Sequence, residues 1–252
     1  MNPQYIELVK STVPVLRENG VALTSYFYNR MLNNHPELKN TFNLDHQSTG
    51  RQPRALAAAV LAYAENIENP SVLAKAVEHI ATKHVSLNIQ PEHYAIVGDN
   101  LLHSISEVLD VPMESDLIAA WKEAYLQLAD ILIGVEKQKF EALAAQNGGW
   151  SGWREFKITA IEATEDSKVF TIQAADQQAV VEAQAGQYIS VKVKVPTQEL
   201  EQPQQFKFAE AQTNNEFKFA VKAEENGTEF SVANILLANY KVGDSVQVSA
   251  PL

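Results

Sequence analysis

With 252 residues the chain is on the long side for one domain, at ~150 residues per domain, so two are expected, and its 46% hydrophobic content is ample for packed cores. It has no cysteine, which excludes disulfides, thiolate-held metals and iron–sulfur clusters, so any redox chemistry has to rest on a cofactor held without thiolates. A net charge of −11, spread as 11 basic and 17 acidic residues to Asn147 and 9 and 14 after it, excludes a phosphate-reading nucleic-acid surface. Neither the ~20 apolar residues of a membrane span nor a basic start followed by an apolar signal core occurs, so a cytoplasmic protein is expected.

The first part reads as helical throughout. Asn19-Gly20 is expected to separate the first two helices, and Leu56, Ala59, Val60, Tyr63 and Ile67 mark another that Asn69-Pro70 ends. Val77, Ile80, Ala81 and His84 form a stripe at steps of three and four, and Pro91 fits the first turn of a helix over His93 to Asp110. A last helix is expected from about Glu114 to Ala144, making six or seven in an all-α domain over residues 1–147.

At Gly148-Gly149-Trp150 the character changes, and after Trp153 the period becomes two. Ile189, Val191, Val193 and Val195 alternate with Ser190, Lys192 and Lys194, and Phe217, Phe219 and Val221 alternate with lysines. Phe156-Ile158, Val169-Thr171, Phe206-Phe208 and Val246-Val248 repeat the pattern, with turns at Gly186, Asn226-Gly227 and Gly243-Asp244. Six or so strands and a short helix near Ala233 to Asn239 predict a small antiparallel Greek-key barrel over residues 148–252.

Three polar residues fall on apolar helix faces. His84 continues its stripe, Tyr94 opens the next helix, and Glu136 shares a face with Tyr125, Leu128 and Leu132. A lone histidine on such a face is usually a satisfied core residue. A glutamate turned inward, however, costs several kcal/mol unless it is paired, and His84 and Tyr94 are its obvious partners. A buried polar site is therefore expected.

Tyr26-Phe27-Tyr28, His35-Pro36-Glu37-Leu38, Phe42-Asn43, Ala62-Tyr63-Ala64-Glu65-Asn66-Ile67, Lys83-His84, Tyr94-Ala95-Ile96-Val97-Gly98, Ala120-Trp121 and Gly148-Gly149-Trp150-Ser151-Gly152-Trp153 follow one another in this order. The chain thereby resembles the bacterial flavohaemoglobins, in which a haem-binding globin is followed by a flavin barrel of ferredoxin-reductase type. The resemblance implies haem b with His84 as the iron's ligand, Lys83 beside it, and Tyr94 and Glu136 as its hydrogen-bonding partners. A carboxylate on the imidazole N–H pushes electron density to the iron and favours activating dioxygen over storing it. On the opposite haem face the resemblance implies Tyr28 as the donor to bound dioxygen, with Gln52 and Leu56 as neighbours, while Phe42 packs on the porphyrin. His35, His46, His79, His93 and His103 match no motif and are expected to be solvent-facing or structural.

In the barrel Gly186-Gln187-Tyr188-Ile189-Ser190-Val191 follows the family. Where the family has Arg-x-Tyr-Ser, with Arg on the flavin pyrophosphate, the chain reads Gln204-Gln205-Phe206-Lys207, and Val-Ser-Asn is replaced by Val232-Ala233-Asn234. A neutral amide does not replace a guanidinium on phosphate. Weak or absent FAD binding is expected, with Tyr188 and Phe206 as what is left of the flavin site. No Gly-rich dinucleotide loop occurs, and because the flavin motifs are replaced as well, a protein that has given up its built-in reductase is expected.

The function implied is conversion of nitric oxide and dioxygen to nitrate, with electrons from an external reductase. The alternative is a gas sensor or carrier whose flavinless barrel forms a homodimer or docks a partner. Steady nitric oxide consumption with an added reductase separates the first from the second.

Overall fold

A computed structural model describes residues 1–213 and 215–252. Seven α-helices precede the strands: α1 Pro3–Ser11, α2 Val13–Asn34, α3 Leu44–Ser48, α4 Arg51–Glu65, α5 Ala74–Ser86, α6 Pro91–Leu109 and α7 Asp116–Ala145. Then come β1 Trp153–Ala163, β2 Lys168–Ala174, β3 Tyr188–Lys194, β4 Glu201–Lys207, β5 Glu216–Val221, α8 Val232–Asn239 and β6 Ser245–Ser249. A globin-like helical part followed by a small antiparallel sheet domain is the order expected. No helix among the described residues is long and apolar enough to cross a membrane.

Packing divides the chain into two compact groups. The first holds Met1–Leu38, His46–Ala81 and Gln90–Val135; the second holds Lys39–Asp45, Thr82–Ile89 and Glu136–Leu252.

In the first group α2 packs on α4 and α6. The turn expected at Asn19-Gly20 does not occur, because α2 runs straight through it and the break falls at Thr12. Thr12 turns its hydroxyl onto Val9 O at 2.6 Å, and Pro14 suits only a first turn. Gly20 lies inside the helix rather than at a turn. A Cβ on it would make an ordinary contact, 3.5 Å from Ala57 Cβ, and the Thr24 hydroxyl one turn on lies 3.0 Å from Gly20 O and 2.7 Å from Pro53 O. Arg30 and Asn34 both donate to buried Asn100 Oδ1, tying α2 to α6.

In the second group the six strands form one antiparallel sheet in the order β4-β3-β6-β1-β2-β5. The alternation puts Ile189, Val191 and Val193 inward with Phe156, Phe170, Phe208 and Phe217. The outer strands meet through Phe206 and Phe219, whose ring centroids are 5.0 Å apart.

Two short segments from the helical part of the sequence belong to this group. Residues 39–45 are held by the start of β4: fully buried Gln202 donates to Lys39 O and accepts from Leu44 N, Asn43 donates to Pro203 O, and Asn40 accepts from Glu201 N. Asp45 Oδ1 accepts from both the amide and the hydroxyl of Thr228, at 2.6 and 2.8 Å. Residues 82–89 end α5: Leu87 N shares Lys83 O and His84 O, Ile89 N returns to His84 O, and Asn88 takes the left-handed conformation with φ 57°.

Candidate functional site

The end of α5 presents His84. Of its stripe Ala81 is fully buried, while Val77, Ile80 and His84 each keep some exposure; Val85 and Ser86 at the end of α5 are buried too. Glu136 comes from α7 and is buried, with 4% of its side chain exposed against 31% for His84. The two meet at 2.7 Å between His84 Nδ1 and Glu136 Oε1. With Nδ1–H donating to this carboxyl group, the imidazole has Nε2 as its basic nitrogen. Lys83 is half-buried beside them.

Tyr94, on α6, lies in the first group and is buried. Its carbonyl accepts from the Tyr125 hydroxyl at 2.6 Å. That reach depends on Gly98, where a Cβ would stand 2.5 Å from Tyr125 Cε1.

A second polar constellation lies wholly in the first group. Tyr28 on α2 is buried against Phe27, with ring centroids 4.9 Å apart. Burial pushes its phenol up to about 12, and hydrogen bonds with Gln52 on α4 and Gln47 on α3 pull in the opposite direction. Leu56 follows one turn after Gln52 and is half-buried. Gln47 carried no sequence signal, sitting in a five-residue helix without periodicity. Phe42 is half-buried in the 39–45 segment.

Four of the five unmatched histidines make local contacts, and His79 is exposed. His93 Nδ1 accepts from Gln90 N at the start of α6, His103 bonds Asp99 O, His46 meets Arg51, and His35 meets Glu37.

On the barrel, Tyr188 is half-buried and its hydroxyl is hydrogen-bonded to Ser86. Phe206 faces the core and is packed on Phe219, not standing on an open face. Gln204 is enclosed by its own neighbours. Its Oε1 accepts from Ala233 N at the start of α8, its Nε2 donates to Glu224 Oε1, and Ser231, the N-cap of α8, donates to Glu224 Oε2. A helix N-terminus attracts anions; here a carboxylate and an amide already stand at it. Lys207, paired across from Tyr188, is exposed.

Comparison with known proteins finds likeness in both parts of the chain. A family model described as Globin matches residues 25–132, and one described as Oxidoreductase FAD-binding domain matches residues 156–252. The flavohemoprotein of Bordetella pertussis is 46% identical over 254 residues, covering 100% of this chain and 63% of its own length. The chain is thus similar over its whole length to flavohaemoglobins, with a globin part followed by an FAD-binding part. In structure it is similar to a flavohemoglobin from Malassezia yamatoensis determined with bound FAD and heme, with a TM-score of 0.86, 28% identity, and coverage of 99% of this chain and 64% of that one. It is also similar to an engineered carbene transferase described as a putative nitric oxide dioxygenase from Rhodothermus marinus, with a TM-score of 0.54, 35% identity, and coverage of 57% and 99%. The chain thus spans about 63% of the length of the curated relative it matches. The FAD-binding match does not support the doubt about FAD raised by the replaced motifs.

Proposed function

We propose that this chain binds haem b through His84 and converts nitric oxide and dioxygen, with one electron, into nitrate. The observation that carries the reading is the 2.7 Å bond between His84 Nδ1 and the buried carboxylate of Glu136. Among the described residues no three of His, Cys, Asp and Glu gather to hold a bare metal ion. An iron that brings its own macrocycle needs only one such nitrogen from the protein. Globin likeness over residues 25–132 supports the same reading, as does a relative described as a putative nitric oxide dioxygenase.

When bound, haem would supply the redox-active iron on which dioxygen is activated. His84 Nε2 would ligate it, and Glu136 would hold the Nδ1 proton so that the ring donates strongly. Tyr94 is proposed to join them from α6, Lys83 to lie beside the ligand, and Phe42 to pack on the macrocycle. Tyr28, with a phenol at about 12, keeps its proton at neutral pH and would aim it at the bound gas, flanked by Gln52 and Leu56. We assign residues 1–147 to haem binding and 148–252 to the flavin-type barrel.

The electron would come through the barrel's flavin or from a separate reductase. The likeness of residues 156–252 to FAD-binding domains supports the first. Gln204, engaged with Ala233 N and Glu224, supports a flavin held less tightly than a guanidinium would hold it. The test is an absorption spectrum followed by nitric oxide consumption with and without FAD and added reductase. A Soret band and one nitrate formed per nitric oxide are expected; no haem uptake, or consumption no faster than in buffer, overturns the reading.

A further inference from the structure

Ser86 lies two residues beyond His84, so at 100° per residue its side chain leaves α5 on nearly the opposite side. It is fully buried. Its hydroxyl donates to Lys83 O at 2.7 Å, the carbonyl immediately preceding His84. With its one proton committed, the oxygen has only lone pairs to offer, and two barrel groups meet it. Gln205 Nε2 approaches it at 3.4 Å from β4, and the Tyr188 hydroxyl lies beside it on β3.

Both barrel groups are themselves held. Gln205 Nε2 also donates to Ser190 Oγ at 3.3 Å, Ser190 N donates to Ser249 Oγ at 2.8 Å, and Tyr188 exchanges backbone bonds with Leu252 in both directions. The last turn of α5 is thus gripped on two sides, by Glu136 on the imidazole and by β3 and β4 on Ser86. A roll of that turn about the helix axis would move His84 and Ser86 together.

We propose that Ser86 is a positioning residue for His84, through which Tyr188 and Gln205 of the barrel set the imidazole's orientation towards Glu136. The inference rests on His84 being the haem ligand. It gives Tyr188 a task on the helix side of the barrel in addition to any contact with flavin.

The test uses the full chain loaded with haem and read in the ferrous state by resonance Raman at the iron–histidine stretch. Ser86→Ala and Tyr188→Phe are each expected to lower or split that band, in the direction of Glu136→Gln and by less. In the Ser86→Ala/Glu136→Gln double variant the band should stay where Glu136→Gln alone puts it, since both act on one bond. Should Ser86→Ala fold poorly, Tyr188→Phe carries the same comparison, as it keeps the ring and removes only the hydroxyl. An unchanged band accompanied by a lowered Tm makes Ser86 merely structural and overturns the proposal. So does a fully additive double variant. Absence of any iron–histidine band in the parent protein overturns the haem reading instead, and this inference with it.

Discussion

His84–Glu136 and Gln204–Glu224 pose the same problem in one group of residues: a carboxylate hydrogen-bonded to a side chain beside a helix end. The outcomes differ because the partners differ. An amide has one donor group and one acceptor, and Gln204 uses both, on Glu224 and on Ala233 N. An imidazole has two nitrogens, and a carboxylate that takes the proton of one fixes the other as a base. The same kind of hydrogen bond therefore gives the proposed haem ligand a basic nitrogen on its other side and occupies both polar groups of the amide.

The strongest way to break the comparison is His84→Ala. Stable haem retention should be abolished and restored by added imidazole; a variant that keeps its haem with an unchanged ferrous spectrum would show that another group is the ligand.

Tyr28 sharpens it from the first group, as a buried polar group flanked by two amides. Its raised value means that the folded state holds the proton more tightly than the unfolded state, whose phenol titrates near 10. Stability from this residue is complete below pH 10 and is lost as pH rises towards about 12. The loss approaches roughly 3 kcal/mol once the pH has passed the folded-state value. Denaturant melts at stepped alkaline pH should show a smaller loss for Tyr28→Phe than for the parent; parallel pH slopes would refute the assignment.

At the other carboxylate the prediction is a gain. Gln204→Arg with Glu224→Gln frees the start of α8 and returns a guanidinium to it. One charge-assisted hydrogen bond contributes about 2 kcal/mol, or roughly thirtyfold in affinity. Calorimetric titration with FAD should find that increase over the parent, and equal affinities would mean that Gln204 does not obstruct the pyrophosphate.

The smallest effect is expected at Tyr63, whose buried hydroxyl has no hydrogen-bond partner among the described residues. Tyr63→Phe should be neutral or stabilise by up to about 1 kcal/mol in denaturant melts, since no bond is lost with the oxygen. A clear destabilisation would reveal a partner such as bound water.

The strands were legible because alternation is local: Ile189, Val191 and Val193 declare their inward face within a few residues, and all three are buried. Helical phase likewise turned Glu136 inward. What spacing could not supply was the meeting of His84 with Glu136, 52 positions apart, or of Ser86 with Gln205, 119 apart. Asn19-Gly20 misled because the dipeptide favours turns, whereas the break falls at Thr12, with Pro14 in the first turn of α2, and the helix continues through Gly20. Gln47 and Gln202 had no pattern at all, since a polar side chain bonded to a distant segment leaves no period behind.

The grouping of residues 82–89 and 136–147 with the barrel has a practical consequence. Val85 and Leu143 share a small core with Ala250, flanked by Phe140, Trp150 and Leu252. Amide hydrogens at Leu87 and Ile89 should then exchange in step with barrel amides when the protein opens in parts. A protein engineer who severed the chain at Gly148 to graft the helices onto another electron donor would deprive the histidine's helix of its packing partners. Chimeras that carry β3, β4 and the last strand along with the helices have the better chance of keeping that ring in place.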